Sequence, residues 1–241
     1  IELEGRKIDF HMSYDETFQA DVNTRAVLQR RSACEPEVAH LMFRVLREGD
    51  WVVDGGANIG FFSLLMARLV GPTGRVLAFE PATNNLAKLR ENIALNQLEH
   101  VEVIERALWC WDLDKVQLYL SADSGEHAMA KGDGAISTEL VTVAKLSGYA
   151  RDAKLKLIKF DVEGSEQKAL EGAYLHLSRK TPFVVCELNG PALKRMEDSQ
   201  ANLRKLMISF GYDMFVLHPD GRLPSLVPVN SVVEATTPNT N

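Results

Sequence analysis

The sequence predicts an α/β fold: a doubly wound, mostly parallel seven-stranded sheet with helices on both faces. It ends in a terminal antiparallel hairpin and carries an inserted β-hairpin. Three observations predict this. Short apolar runs ending in an acid recur, as in Trp51-Val52-Val53-Asp54, Ala78-Phe79-Glu80 and Ile158-Lys159-Phe160-Asp161. The segments after them have helical spacing, and Gly- and Pro-rich loops separate the units. The alternation breaks once, at 112–147, where two alternating stretches stand in succession. At 241 residues with 46% hydrophobic content, the chain can bury one large core.

The first 34 residues read as an N-terminal extension or substrate cap, with an edge strand expected over 7–14. Arg25, Arg30 and Arg31 form a basic cluster, either a solvated face or a contact for an anionic substrate. Glu35-Pro36 opens a helix, since proline suits the first helical position. Val38, Leu41, Met42, Val45 and Leu46 recur as one apolar face, and Gly49 stops it. This helix is expected to bring Glu35 near the ligand edge of the sheet.

Asp54 then ends a strand, and Gly55-Gly56-Ala57-Asn58-Ile59-Gly60 turns into the next helix. In open parallel sheets ligands bind at that carboxyl edge. Gly55, Gly56 and Gly60 remove Cβ atoms where a ligand would approach the backbone. A dinucleotide fingerprint would carry glycine where Ala57 stands. The turn, which has no basic residue, better suits a zwitterionic amino-acid group plus a nucleoside. The next strand, Arg75–Phe79, ends in Glu80-Pro81, and an acid there can accept from a ribose diol. Asp54 followed 26 residues later by Glu80 is the pattern of an S-adenosylmethionine site in a Rossmann-like sheet. A ligand-free turn and a nicotinamide site are the alternatives.

Thr83 is the expected N-cap of a helix carrying Leu86, Leu89, Ile93 and Leu95. A third strand, 101–104, leads to Arg106 and Ala107, placed over an adenine ring. Trp109 and Trp111 are read as packing residues rather than as a substrate wall. In the insertion, 116–120 and 140–143 read as paired strands. Between them, 122–135 is a long loop with His127 and Met129. It is either a lid with His127 as proton acceptor or an exposed loop with an incidental histidine.

A fourth strand places Lys159, Asp161 and Glu163 at its end, beside the turn at Asp54. Buried charges of this kind need partners or a ligand. Ala169, Leu170, Ala173, Tyr174 and Leu177 make one helix after it. A fifth strand ends at Glu187-Leu188-Asn189, and one helix is expected from Pro191 to Phe210. The strands 213–217 and 223–229 form the terminal hairpin, and 231–241 is a polar tail.

Val52 to Gly60, Ala78-Phe79-Glu80-Pro81 and Ile158 to Glu166, in this order and spacing, resemble the FkbM family of S-adenosylmethionine-dependent methyltransferases. The resemblance runs from about Glu35 to about Tyr212 and implies a class I methyltransferase domain over 35–230. It implies methylation of a hydroxyl on a sugar, polyketide or related small molecule. By it, Asp54 to Gly60 hold the methionine part and Glu80 the ribose. The sequence departs from the family in Ala144-Lys145-Leu146-Ser147, where members carry a Leu-Asp-Asp type segment.

An alcohol must lose its proton on attack, which calls for a base. The candidates are Asp161, Glu187, His127, His218, and Lys159 if its pKa is depressed. Asp161, Glu187 and Asn189 offer oxygen ligands for magnesium as a second route. An NAD(P)-dependent oxidoreductase and a noncatalytic binding module remain the other function classes. The net charge of −6 speaks against nonspecific nucleic-acid binding. No stretch has transmembrane length or signal-peptide character, so no membrane partner is expected. Three cysteines without metal spacing fit reduced thiols in the cytoplasm. Opening on Ile1 fits a processed, trimmed or excised chain. The oligomeric state is open, with a homodimer as one option.

Overall fold

The structure is a computed structural model, and it describes residues 2–3, 6–14, 35–122, 124–132, 134–218 and 224–226. The basic cluster at Arg25, Arg30 and Arg31, Cys34 and the polar tail lie outside the described residues. Short strands β1 (Glu2–Leu3) and β2 (Arg6–Lys7) pair with each other. Helix α1 (Pro36–Val45) leads to β3 (Trp51–Gly55), α2 (Phe61–Val70), β4 (Arg75–Phe79), α3 (Thr83–Leu95) and β5 (Val101–Ile104). The chain then leaves the main sheet through β6 (Ala107–Leu108), β7 (Leu113–Ser121) and β8 (Ala135–Ala144). It returns as β9 (Leu155–Phe160), α4 (Glu166–Gly172), α5 (Tyr174–Leu177), β10 (Phe183–Cys186), α6 (Gly190–Arg195) and α7 (Gln200–Ser209).

The central sheet is parallel, in the order β10-β9-β3-β4-β5. Asp54 pairs with Lys159 across β3 and β9, and with Ala78 across β3 and β4. Alternate residues face opposite cores, as the two-residue period of a strand requires. Val52, Val76, Ala78 and Leu157 pack with α1 and α2. Val53, Leu77, Phe79, Ile158 and Phe160 pack with α4 and α7. Both faces are therefore covered, which explains why these strands read as continuous apolar runs. In α2, every residue but Arg68 is buried, as expected of a helix that is apolar all round.

The expected edge strand over 7–14 is a correction. Beyond Lys7 the segment is extended but joins no sheet. Ile8, Phe10 and Met12 pack on the core, and Phe10 meets Phe61 edge-on at 5.8 Å. Side chains of α3 bind its backbone instead of a strand. Asn96 accepts from His11 N (2.8 Å) and donates to His11 O (2.6 Å), while Asn92 accepts from Ser13 N (2.6 Å).

The insertion forms its own sheet, in the order β6-β8-β7. It is fastened to the start of α3 by a small cluster of Ala82, Leu118 and Val141, with Leu120 and Met129 against it. The expected Thr83 cap is not formed. Ala82 is the cap residue and makes no side-chain cap bond; Glu80 and Glu139 accept from Ala82 N and Thr83 N instead, each at 3.0 Å.

The single helix expected after β9 divides at Ala173 into α4 and α5. Just before that break a Cβ on Gly172 would lie 1.9 Å from the Trp109 carbonyl oxygen, so glycine admits that backbone. The helix expected from Pro191 also divides. It stops at Arg195 and restarts after Ser199, whose side chain accepts from Asn202 N. Strand β11 (Phe215–Val216) pairs with β12 (Ser225–Leu226) as expected, but as a separate two-stranded sheet. Among the described residues the parallel sheet thus has five strands rather than seven. Cys110 and Cys186 are free thiols. No helix among the described residues is long and apolar enough to cross a membrane.

Candidate active site

Three acids stand where the strands end, and backbone bonds between neighbouring strands hold them level. Asp161 N donates to Gly55 O, Glu187 N to Phe160 O and Glu80 N to Ile104 O, at 3.0–3.1 Å. Gly56 N and Ala57 N both donate to Phe79 O, which ties the glycine turn to the end of β4. The result is a cavity of about 190 Å³. Gly56 and Asn58 line it from the turn, Glu80 and Pro81 from the end of β4, and Arg106 and Ala107 from beyond β5. Asp161, Glu163, Ser165 and Glu187 complete the floor, while Leu118, His127 and Met129 reach over from the insertion.

Glu80 is held by the turn itself. It accepts from Asn58 N at 2.8 Å, Ala82 N at 3.0 Å and the Asn85 amide at 3.4 Å. Burial nonetheless pushes its carboxyl up to about 7. Two polar atoms on lining residues, Asn58 Oδ1 and Ser165 Oγ, are buried with no partner. Such atoms are costly unless a ligand satisfies them. The cavity walls carry carboxylates, an amide and a guanidinium beside Phe79, Leu118 and Met129, so the cavity suits a polar ligand with an apolar part.

Beside the cavity lies a charge cluster. Lys159 is 3% exposed and sits 2.8 Å from Asp161 Oδ2. Its ammonium also stands 4.7 Å from the centre of the Phe62 ring. Burial would lower its pKa, but the carboxylates of Asp161, Asp54 and Glu35 outweigh burial and raise it. Burial opposes the charged form of Asp161 too, yet Lys159 and a bond from Glu187 hold its pKa below the usual range. Burial and then the Asp161 charge push Glu187 upward, so the proton between the two rests on Glu187. Burial, opposed by Lys159, raises Glu35 to about 6. Burial and the Asp161 charge raise Glu163 to about 8.

These shifts fix a pH dependence. A carboxyl whose folded pKa is raised favours folding below its unfolded value and loses that contribution as pH rises through the folded one. Glu35, Glu80 and Glu163 lie on that side; Asp161 has the opposite sign and contributes above the usual carboxylate range. Thermal melts are expected to show the melting temperature falling from pH 5 to pH 9, with the fall reduced in Glu163→Gln.

The structure brings together Gly56, Asn58, Glu80, Pro81, Arg106, Ala107, Asp161 and Glu187 on one cavity. Asp54, Gly55, Gly60 and Glu35 do not line it. Asp54 is fully buried; its Oδ2 accepts from Ser63 Oγ at 2.6 Å and its Oδ1 has no partner. Gly56 lines the cavity and also lets β9 approach: a Cβ there would sit 1.8 Å from the Asp161 carbonyl oxygen.

The acids around Lys159 raise its pKa, opposite to the depressed value that a base role for it requires. His127 is tethered at both nitrogens. Nδ1 accepts from Ser121 N at 3.1 Å, and Nε2 lies 3.3 Å from the Asn84 amide. With Nδ1 accepting, the proton sits on Nε2, and Asn84 must present its oxygen. His127 thus pins the insertion to α3. His218 and the tryptophans Trp109 and Trp111 stand away from the cavity lining. Asn189 donates to Glu163 Oε2 at 3.2 Å. Asp161, Glu163 and Glu187 each offer an oxygen within 4.8 Å of one another.

Sequence reasoning missed Asn85, Leu118 and Ser165 as site residues, while Glu163 was read as one acid of the charged cluster after β9. Asn85 lies in the first turn of α3, five residues after Glu80.

Residues 54–214 match the methyltransferase FkbM domain family. The chain belongs to this family. Membership sets the nicotinamide reading aside and makes the protein a methyltransferase by family. Methyltransferase 1 of Beauveria bassiana (strain ARSEF 2860) is 26% identical over 205 residues, covering 74% of this chain and 78% of that one. Methyltransferase sdnD of Sordaria araneosa is 31% identical over 161 residues, covering 53% and 61%. A solved methyltransferase FkbM from Methylobacillus flagellatus KT is 22% identical with a TM-score of 0.48, covering 85% of this chain and 51% of that chain. The FkbM chain described here thus spans about half the length of that structure.

Proposed function

We propose that this FkbM-family chain uses S-adenosylmethionine to methylate a hydroxyl on a small molecule. The observation that carries the reading is the single cavity joining the glycine turn, Glu80 and Asp161. Glu80 would hold the ribose diol. Arg106 and Ala107, with Phe79 and Leu118, would enclose the base. Gly56, Asn58 and Asp161 would hold the amino-acid end. When bound, the cofactor supplies an electrophilic methyl on a neutral leaving group.

The chain's own residues supply the rest. Lys159 fixes Asp161, so the carboxylate is placed before any ligand arrives, and pre-placement of this kind lowers the barrier by orientation. Asp161 is already neutralised by Lys159 at 2.8 Å, and Asn189 is engaged by Glu163. This supports a metal-free route: EDTA is expected to leave turnover unchanged, and magnesium to add nothing.

The test of the cofactor site is Glu80→Ala, read by calorimetry with S-adenosylhomocysteine. Loss of charge-assisted bonds to a diol costs about 2 kcal/mol, or roughly 30-fold in affinity. Wild-type affinity in the variant would contradict the assignment.

A further inference from the structure

A second cavity, of about 280 Å³, adjoins the first. Tyr119, Ser121 and Glu126 line it from the insertion, and Asn189 and Arg195 from the start and end of α6. Its apolar lining comes from alanines, Pro191 and the ring of Tyr119. Glu163 lines both cavities. Its backbone is left-handed, at φ 49, a conformation that costs a non-glycine residue and concentrates at functional sites. Asn189 holds one of its oxygens at 3.2 Å, and its carboxylate lies within 4.8 Å of those of Asp161 and Glu187.

We propose that this second cavity is the methyl-acceptor subsite, that it takes a polyhydroxylated, sugar-like acceptor, and that Glu163 receives the acceptor's hydroxyl proton where the two cavities meet. The inference rests on the reading of the first cavity as the cofactor site. The acceptor class follows from the walls. Arg195 can donate and Glu126 and Glu163 can accept, while Asn189 already donates to Glu163, Ser121 to Glu126 and Tyr119 to Gln117. A flat apolar acceptor would cover these groups without pairing them, a cost that polar sites use to reject such ligands. A polyol pairs both kinds at once.

In the transfer, the acceptor oxygen forms the new bond to the methyl carbon. The carbon–sulfur bond breaks with its electron pair left on sulfur, which becomes a neutral thioether. The hydroxyl proton passes to the Glu163 carboxylate. Burial and the Asp161 charge, which raise Glu163 to about 8, make it a better proton acceptor than an ordinary carboxylate. The ionised fraction grows as pH rises, so turnover should climb through that range.

The test uses the full chain saturated with S-adenosylhomocysteine and two probe sets. One set holds methyl hexosides, uronic acids and inositol; the other holds phenols and fatty alcohols. Binding is read by saturation-transfer NMR, and turnover with an isotope-labelled methyl donor. At least one polyol is expected to bind and be methylated. Ala135→Trp, which fills the second cavity, and Arg195→Leu, at an exposed position, should weaken that binding while S-adenosylhomocysteine affinity holds. Glu163→Gln should keep both ligands bound, lower kcat by about 100-fold and remove the rising pH limb.

Preference for phenols or fatty alcohols would overturn the inference. So would absence of polyol binding with S-adenosylhomocysteine bound, polyol binding unmoved by both variants, or an unchanged kcat in Glu163→Gln. Failure of S-adenosylhomocysteine to bind the wild type would overturn the cofactor reading first, and this inference with it.

Discussion

Gly56→Ala is expected to destabilise the protein by about 3 kcal/mol or more and to abolish cofactor binding. Two effects add. The backbone at Gly56 is left-handed, at φ 79. A Cβ would also sit 1.8 Å from the Asp161 carbonyl oxygen, a contact no side-chain movement relieves because both atoms are fixed to backbone. The turn must lift away from β9, breaking the line that holds Asp161 beside the glycine turn. For a chain of this size the melting temperature should drop by about 6–12 °C. Gly148→Ala is the control: nothing lies within 4 Å of its added carbon, so its melt should match the wild type. Equal melts for Gly56→Ala and the control would contradict the packing described.

Lys159→Met should cost about 3–5 kcal/mol at pH 8, because it leaves buried carboxylates without their counter-charge. Asp161 loses its 2.8 Å partner, and Asp54 and Glu35 lose the cation that offsets their burial. The sign with pH is set by those acids. Without the ammonium their pKa values rise, so protonation relieves the repulsion at low pH. The deficit relative to wild type should therefore be largest at pH 8–9 and shrink towards pH 5, as read by chemical denaturation across that range. A deficit independent of pH would mean that Lys159 contributes packing rather than charge.

The strands at Trp51–Gly55, Arg75–Phe79 and Leu155–Phe160 were legible because burial on both faces leaves an unbroken apolar run in the sequence. The acids after them were legible for the same reason, standing out against that run. The segment 7–14 shows what the pattern cannot carry. Ile8, Phe10 and Met12 do alternate and do face the core, but alternation reports an extended backbone, not its hydrogen-bond partners. Those partners are Asn92 and Asn96, far along the chain. The break in the helix after Pro191 had a local signal in Ser199, a good cap that accepts from the backbone N–H three residues on, which the apolar spacing of Leu193, Met196 and Leu203 concealed.

Glu163 was legible only as one acid of the cluster after β9, not as the residue between two cavities. Nothing in its neighbours separates it from Asp161 or Glu166. Its place follows from where the insertion and α6 come to rest, and those are tertiary facts. His127 is the converse case: its sequence context suggested proton transfer, while the fold engages it with Ser121 and Asn84.

The most direct test of the account is a crystal structure of the protein with S-adenosylhomocysteine bound. The account predicts the ribose hydroxyls on Glu80, the adenine against Arg106 and Ala107, and the sulfur facing Asp161 and Glu163. A nucleoside bound in the reverse sense, with adenine beside Asp161, or bound away from Glu80, would contradict it.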